Sequence, residues 1–163
     1  MICYDGFIIS HTAESIRILE DEQAWKFVGP YKPVRRLLDT HKPFTVGPLD
    51  LTDYYFEHKV GEIEAHERAP KVIEEIGKEF GKLTGREYGL FECYKLDDAE
   101  VGIVVLGSTA GTAKDVVDRM RADGMKVGLL KLRAFRPFPA AQLVKALSRL
   151  KAIGVMDRCA SFG

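Results

Sequence analysis

Ser10 and His11 place a hydroxyl beside an imidazole near the start of the chain. A serine that is activated by a histidine base is a common enzymatic nucleophile. Adjacency in sequence does not give nucleophile–base geometry, however. The alternative is a polar turn whose hydroxyls cap a helical segment over residues 13–19. The sequence favours the turn, and Ser10 and His11 remain candidates for contact with a ligand.

A second candidate is the segment Gly107-Ser-Thr-Ala-Gly-Thr112, which follows an apolar run and opens a helical pattern. Backbone N–H groups at such a position can bind a phosphate, with Ser108 and Thr109 beside it. The segment matches neither Gly-x-Gly-x-x-Gly nor the P-loop. We therefore favour a tight turn in which Ser108 or Thr109 caps the helix.

Three arginines, Arg133, Arg136 and Arg158, lie at or just beyond the ends of apolar runs. Ligands of open α/β sheets bind at the carboxyl ends of the strands, where guanidinium groups can grip a carboxylate or phosphate. An inter-domain ion pair is the favoured alternative, and Arg136 is kept as a ligand candidate.

A metal site is conceivable at His58, Glu62 and His66, which fall on one helical face at i, i+4 and i+8. No zinc-type motif surrounds them, so the pattern favours a solvated, salt-bridged face and predicts no metal. The residues alone identify no catalytic residue.

The elements that would position these groups are clearest after residue 100. Apolar, β-branched runs alternate with amphipathic segments, which is typical of a parallel sheet with flanking helices in an α/β protein. Right-handed crossovers are expected. The predicted strands are 101–106, 127–132 and 152–156, with an edge strand at 88–95.

The earlier part of the chain predicts a long charged helix and an extended arm. The helix covers 57–83, Pro70 should kink or divide it, and Gly85 should cap its end. Its predicted core face contains Val72, Ile73, Ile76, Phe80 and Leu83. A short helix is expected within 13–27, and the chain is irregular to about residue 51. We expect the arm to rest on a partner surface or on another domain because it is apolar at Trp25, Phe27, Tyr31, Leu37, Leu38 and Phe44.

Composition excludes several classes of function. The chain has 163 residues, with 24 basic and 24 acidic side chains, which gives no indication of nucleic acid or an anionic membrane as a partner. No apolar run approaches the ~20 residues that span a membrane. The three scattered cysteines favour a reducing cytoplasm and offer no ligand set for an iron–sulfur cluster.

Seven motifs in order resemble those of a known family. They are Tyr4-Asp-Gly-Phe-Ile-Ile-Ser-His-Thr12, Gly85-Arg-Glu-Tyr88, Asp97-Asp-Ala-Glu100, Gly107-Ser-Thr-Ala-Gly-Thr112, Lys126-Val-Gly-Leu-Leu-Lys-Leu-Arg133, Phe135-Arg-Pro-Phe-Pro139 and Val155-Met-Asp-Arg158. The chain is similar to the alpha subunit of pyruvate:ferredoxin oxidoreductase (pyruvate synthase), within the 2-oxoacid:ferredoxin oxidoreductases.

The resemblance implies three regions. Residues 1–12 would end a thiamine pyrophosphate pyrimidine-binding domain, with a buried strand at Ile2–Tyr4. Residues 13–97 would be a linker arm with a long helix, and 98–163 would begin a domain similar to the transketolase C-terminal domain. The chain would then be a fragment of the subunit, mainly architectural and inactive alone.

The resemblance also implies a reaction, in which a 2-oxoacid, with pyruvate expected, is oxidatively decarboxylated to acyl-CoA and CO2 while ferredoxin takes the electrons. Thiamine pyrophosphate with Mg, coenzyme A and iron–sulfur clusters on other subunits would take part, and beta, gamma and delta subunits would be the partners. No catalytic residue of the family is carried over. The alternative is a non-catalytic assembly module or a nucleotide- or CoA-binding α/β module.

Overall fold

The computed structural model describes residues 2–6, 8–36, 38–44, 46–47 and 49–160. Contacts between Cα atoms divide the chain into two compact units. One comprises Met1–Ala13 together with His66–Gly163, and the other comprises Glu14–Ala65. Phe7 of the first family motif and Leu37 of the apolar arm lie outside the described residues.

The strand predicted at Ile2–Tyr4 is wrong. Residues 2–5 adopt no regular structure, and the Ile2 side chain is 90% exposed. A short extended segment gains stability as a strand only when a neighbouring strand pairs with it. The four-stranded sheet of this structure does not include residues 2–5.

The arm contains the short helix that the sequence predicted within 13–27, now located as α1 (Asp21–Val28). A capping box between Glu20 and Gln23 begins it. Gly29 ends the helix with a φ of 74°, a backbone conformation that is less favourable for residues with a Cβ than for glycine. The described part of residues 30–54 shows only turns and bends, in agreement with the predicted irregular arm.

The long helix α2 (Tyr55–Thr84) is confirmed, and Gly85 caps it through an N–H that donates to the Gly81 carbonyl at 2.8 Å. Pro70 was predicted to kink or divide the helix, and division is wrong, because α2 runs through it without interruption, so the kink stays a prediction. Proline removes one intrahelical hydrogen bond. The helical turns on both sides keep the rest of the hydrogen-bond ladder.

A four-stranded sheet lies at the centre of the unit that contains His66–Gly163. Its strands are β1 (Phe91–Tyr94), β2 (Val101–Leu106), β3 (Val127–Leu132) and β4 (Ala152–Met156). The order is β1-β3-β2-β4, with β2 parallel to both β3 and β4 and β1 antiparallel to β3 at the edge. The three predicted parallel strands are confirmed residue for residue, and the predicted edge strand is confirmed over the shorter range Phe91–Tyr94.

Helices cover both faces of this sheet. The crossover from β2 to β3 contains α3 (Thr109–Ala122), and the crossover from β3 to β4 contains α4 (Ala140–Leu147). Leu129 and Leu130 of β3 are both 0% exposed and point to opposite faces, as successive strand residues do. Leu129 packs with α3 and Leu130 with α4. The fold is therefore α/β, as the sequence predicted.

The face that α2 buries differs from the predicted one. Gly77 is its only buried residue among those described, and it sits directly against the Tyr88 carbonyl. Val72 and Ile76, both on the predicted core face, are each 49% exposed. The apolar pattern failed here because two glycines, Gly77 and Gly81, let the backbone approach the segment before β1.

Candidate functional site

Ser10 and His11 contact each other in the structure. The Ser10 Oγ lies 2.5 Å from the His11 Nδ1, and both side chains are exposed. The predicted helical segment over residues 13–19 is wrong, because these residues are not helical. The Thr12 hydroxyl donates instead to the Ile8 carbonyl at 2.7 Å, so it is used within the turn. Ser10 and His11 therefore form a hydrogen-bonded pair on a turn.

Side chains and backbone brace this turn. The Asp5 Oδ1 accepts the Ile8 N–H at 2.8 Å. The Ile8 carbonyl accepts the N–H groups of His11 at 3.2 Å and Thr12 at 3.0 Å. Because these bonds fix the backbone on both sides of Ser10, the imidazole is presented in a defined position.

The segment Gly107–Thr112 forms a tight turn that opens α3. Gly107 has a φ of 77°, and Ser108 occupies the cap position without forming a side-chain cap. Two of the first N–H groups of the helix are engaged, since the Ala110 N–H donates to the Gly107 carbonyl at 3.3 Å and the Gly111 N–H donates to the Ser108 carbonyl at 3.0 Å. This arrangement leaves the phosphate hypothesis for Ser108 and Thr109 without a structural argument.

The three arginines at the strand ends differ in their surroundings. The Arg133 guanidinium donates to the Glu92 carboxylate at 2.5 Å and lies 4.9 Å from the centre of the Tyr88 ring. Glu92 lies on β1, beside the strand that Arg133 follows, and both residues belong to the same compact unit, so this ion pair does not join the two units. Arg136 is exposed on the turn between β3 and α4, and Arg158 is exposed just after β4.

Glu92 is the centre of a charged network that the sequence did not predict. Its carboxylate also pairs with Lys114 of α3. Burial raises the pKa of this carboxyl, but the Lys114 hydrogen bond and the charges of Lys114 and Arg133 outweigh it and lower the pKa overall. The network ties the edge strand β1 to both β3 and α3.

This network gives a pH-dependent prediction for Glu92→Gln. Because the folded-state pKa is lowered, the ion pairs stabilise the fold above the usual carboxyl pKa and lose that effect as the pH falls through the folded value. We expect the substitution to lower the free energy of unfolding by about 0.5–1 kcal/mol at neutral pH. The difference should shrink in acid, measured by urea unfolding across pH, whereas Glu79→Gln on exposed α2 should show no such trend.

A second network joins β1 to α3. The Tyr94 hydroxyl donates to both oxygens of Asp118 at 2.9 Å, and the Lys95 ammonium donates to Asp118 at 2.6 Å. The Lys95 and Tyr94 hydrogen bonds lower the pKa of Asp118, and the bond to Asp118 raises the pKa of Tyr94. Glu92 and Tyr94, which are two residues apart on β1, thus contact Lys114 and Asp118, which are four residues apart on α3. That pattern is visible in the sequence once the two elements are known to be neighbours.

The histidine face of α2 carries local contacts. The His58 Nδ1 lies 2.7 Å from the Asp50 carboxylate, and Lys59 pairs with Glu62 at 2.5 Å. Within the described residues, no group of three or more His, Cys, Asp and Glu side chains is arranged to hold a metal ion. None of the helices in that part of the chain is long and apolar enough to cross a membrane.

Comparison with known proteins decides the family. The thiamine-diphosphate-binding model of pyruvate flavodoxin/ferredoxin oxidoreductases matches residues 1–78. The model of pyruvate:ferredoxin oxidoreductase core domain II matches residues 99–163. Pyruvate synthase subunit PorA of Thermotoga maritima is 52% identical over all 163 residues. The chain belongs to the pyruvate:ferredoxin oxidoreductase family.

Other members of the family also match this chain over its whole length. Pyruvate synthase subunit PorA of Methanocaldococcus jannaschii is 42% identical, and ketoisovalerate oxidoreductase subunit VorA of Pyrococcus horikoshii is 41% identical, each over 100% of this chain. The chain spans 42% of the length of each of these relatives. A solved structure, 2-oxoglutarate:ferredoxin oxidoreductase from Magnetococcus marinus with 2-oxoglutarate, coenzyme A and succinyl-CoA bound, aligns with 42% of this chain and 12% of its own. Its sequence identity is 29% and its TM-score is 0.39.

Proposed function

We propose that this chain is part of a thiamine-dependent 2-oxoacid:ferredoxin oxidoreductase that converts pyruvate to acetyl-CoA and CO2. The similarity that carries the proposal is the 52% identity to a pyruvate synthase subunit over the whole chain. A ketoisovalerate oxidoreductase subunit is 41% identical, so a branched 2-oxoacid is the competing substrate. Ferredoxin accepts the electrons, and coenzyme A accepts the acyl group.

The described residues do not fit a thiamine diphosphate site on their own. They contain no group of acidic or histidine side chains arranged for the divalent ion that accompanies the diphosphate. The three cysteines are single exposed thiols, which cannot ligate an iron–sulfur cluster as a set. We propose that thiamine diphosphate with Mg is bound mostly outside this segment and that the clusters lie on other subunits, and we assign no chemical step of the enzyme to this chain.

The role that suits this chain is architectural. The proposed regions are 1–12 as the end of the thiamine-binding domain, 13–97 as the linker arm, and 98–163 as the transketolase C-terminal-like domain. The start of β2 at Val101 and of the core domain II match at residue 99 support the last boundary. The thiamine-binding model continues to residue 78, so it also includes most of the proposed arm.

The proposed partners are the beta, gamma and delta subunits of a cytoplasmic complex. The relatives are themselves named as subunits, which supports assembly with other chains. The free cysteines suit a reducing compartment.

The proposal is tested with the complete complex that contains this chain. Purified complex should reduce ferredoxin when pyruvate and coenzyme A are both supplied, and should lose that activity when either is withheld. A panel of 2-oxoacids then distinguishes pyruvate from 2-ketoisovalerate. A complex that reduces ferredoxin with none of them would refute the proposal.

Ser10 and His11 are the residues we propose for contact with substrate or cofactor. In the complete complex, His11→Gln and Ser10→Ala should each lower turnover by about tenfold or more, because a lost hydrogen bond to a charged group costs about 1.5–3 kcal/mol. His66→Gln, another exposed histidine, is the matched control. Normal turnover in both variants would leave the turn with a structural role only.

A further inference from the structure

The arm contains a concentrated basic surface in a chain whose overall charge is zero. Residues 31–44, which we call the basic loop, include Lys32, Arg35, Arg36 and Lys42 against a single acidic residue, Asp39. The whole chain has 24 basic and 24 acidic side chains. With four basic side chains and one acidic side chain, the loop carries a local excess of positive charge, and it belongs to the Glu14–Ala65 unit.

The acidic residue of the basic loop is turned toward the backbone. The Asp39 Oδ1 accepts the His41 N–H at 3.0 Å, and the Asp39 N–H donates to the Arg36 carbonyl at 3.1 Å. Asp39 is half-buried, whereas Arg35, Arg36 and Lys42 are exposed. The cations consequently dominate the outer surface of the loop.

The loop also has a shaped surface. A hollow of about 570 Å³ lies between residues 33–36 on one side and residues 42–44 on the other, with Asp39 between them. The Arg35 guanidinium lies 5.5 Å from the centre of the Phe44 ring, which orients it by a cation–π contact. Pro33 and Pro43 restrict the backbone at both ends of the hollow.

Large apolar side chains stand between the cations. Tyr31 is 85%, Val34 100% and Leu38 89% exposed. A small anion would neutralise the charges but leave these side chains in water. A protein surface can pair with the charges and also cover the apolar side chains. Aromatic residues and arginine are enriched in protein interfaces.

We propose that the basic loop docks on a partner subunit through a surface with an apolar centre and a rim of carboxylates. A second copy of this chain fits less well, because a two-fold interface places the same patch on both sides and would oppose like charges. The inference rests on the proposed multi-subunit enzyme and specifies which chemistry its partner presents to the arm.

The test uses the complete complex and three double variants. Arg35→Glu with Arg36→Glu should weaken subunit association by about tenfold or more, because the loss of one close charge pair in an interface lowers the affinity by at least that factor. Arg35→Lys with Arg36→Lys, which keeps the charge, should retain most of the affinity. Lys71→Glu with Lys78→Glu on exposed α2 makes the same change of charge elsewhere and should have no effect. Sedimentation measures the dissociation constant, and circular dichroism verifies that each variant is folded.

A carbodiimide, which joins amines directly to carboxylates, identifies the partner surface. We expect Lys32 and Lys42 to cross-link to Asp or Glu side chains of another subunit. Links confined to this chain or joining two copies of it would overturn the inference, as would full association of the charge-reversed variant. Pyruvate-dependent turnover of the wild-type complex is measured in the same preparation, so failure of the docking surface is distinguishable from failure of the proposed function.

Discussion

Gly77→Ala will destabilise the fold, although alanine is the best helix former and glycine one of the poorest. In an open helix the exchange gains about 0.5–1 kcal/mol. At Gly77 a Cβ would overlap the Tyr88 carbonyl, a backbone group that cannot rotate away as a side chain can. The helix must move off the segment before β1, and overpacking of this kind costs about 1–3 kcal/mol or more.

Gly61→Ala is the matched control, because Gly61 lies in the same helix but in open surroundings. Apart from its two chain neighbours and the nearby helix backbone, no atom of the residues that the structure describes lies within 4 Å of the position that a Cβ would take there. We expect this substitution to raise the free energy of unfolding while Gly77→Ala lowers it, both measured by chemical denaturation followed by circular dichroism. Equal stabilisation by the two substitutions would show that α2 does not pack through its glycines.

Leu130→Ala should have the second large effect on stability. Leu130 is 0% exposed and packs between the sheet and α4. Truncating a fully buried leucine leaves a cavity and costs about 2–5 kcal/mol.

Leu106→Ala, at the end of the adjacent β2, provides the comparison. Its side chain is 53% exposed, so we expect a change within about 0.5 kcal/mol. A small loss at Leu130 in thermal and urea unfolding would contradict a core that is packed on both faces of the sheet.

The strands of the sheet were predictable because their sequence signal is local. Val101–Leu106 and Val127–Leu132 are apolar and rich in aliphatic residues, as strands covered on both faces must be, and turn residues bound them. The face of α2 was not predictable by the same means. Hydrophobic periodicity identifies the most apolar stripe, whereas the observed contact depends on the absence of side chains at Gly77 and Gly81.

The candidate site was predictable only in part. The proximity of Ser10 and His11 follows from their adjacency, but their hydrogen bond depends on a turn that Asp5 and Ile8 hold together. Arg133 was expected at the carboxyl edge of the sheet as a ligand-binding group or in an inter-domain pair. Its actual partner, Glu92, is brought near by an antiparallel strand pairing that no local pattern specifies.

The central proposal, that this chain is part of an enzyme that decarboxylates a 2-oxoacid, is tested most directly by isotope exchange. The complete complex is incubated with unlabelled pyruvate, labelled CO2 and coenzyme A, without ferredoxin. Because the bond between the carboxyl carbon and the keto carbon would be broken reversibly, we expect label to enter the carboxyl group of pyruvate. An assembled complex that exchanges no label into pyruvate or any other 2-oxoacid would contradict the account.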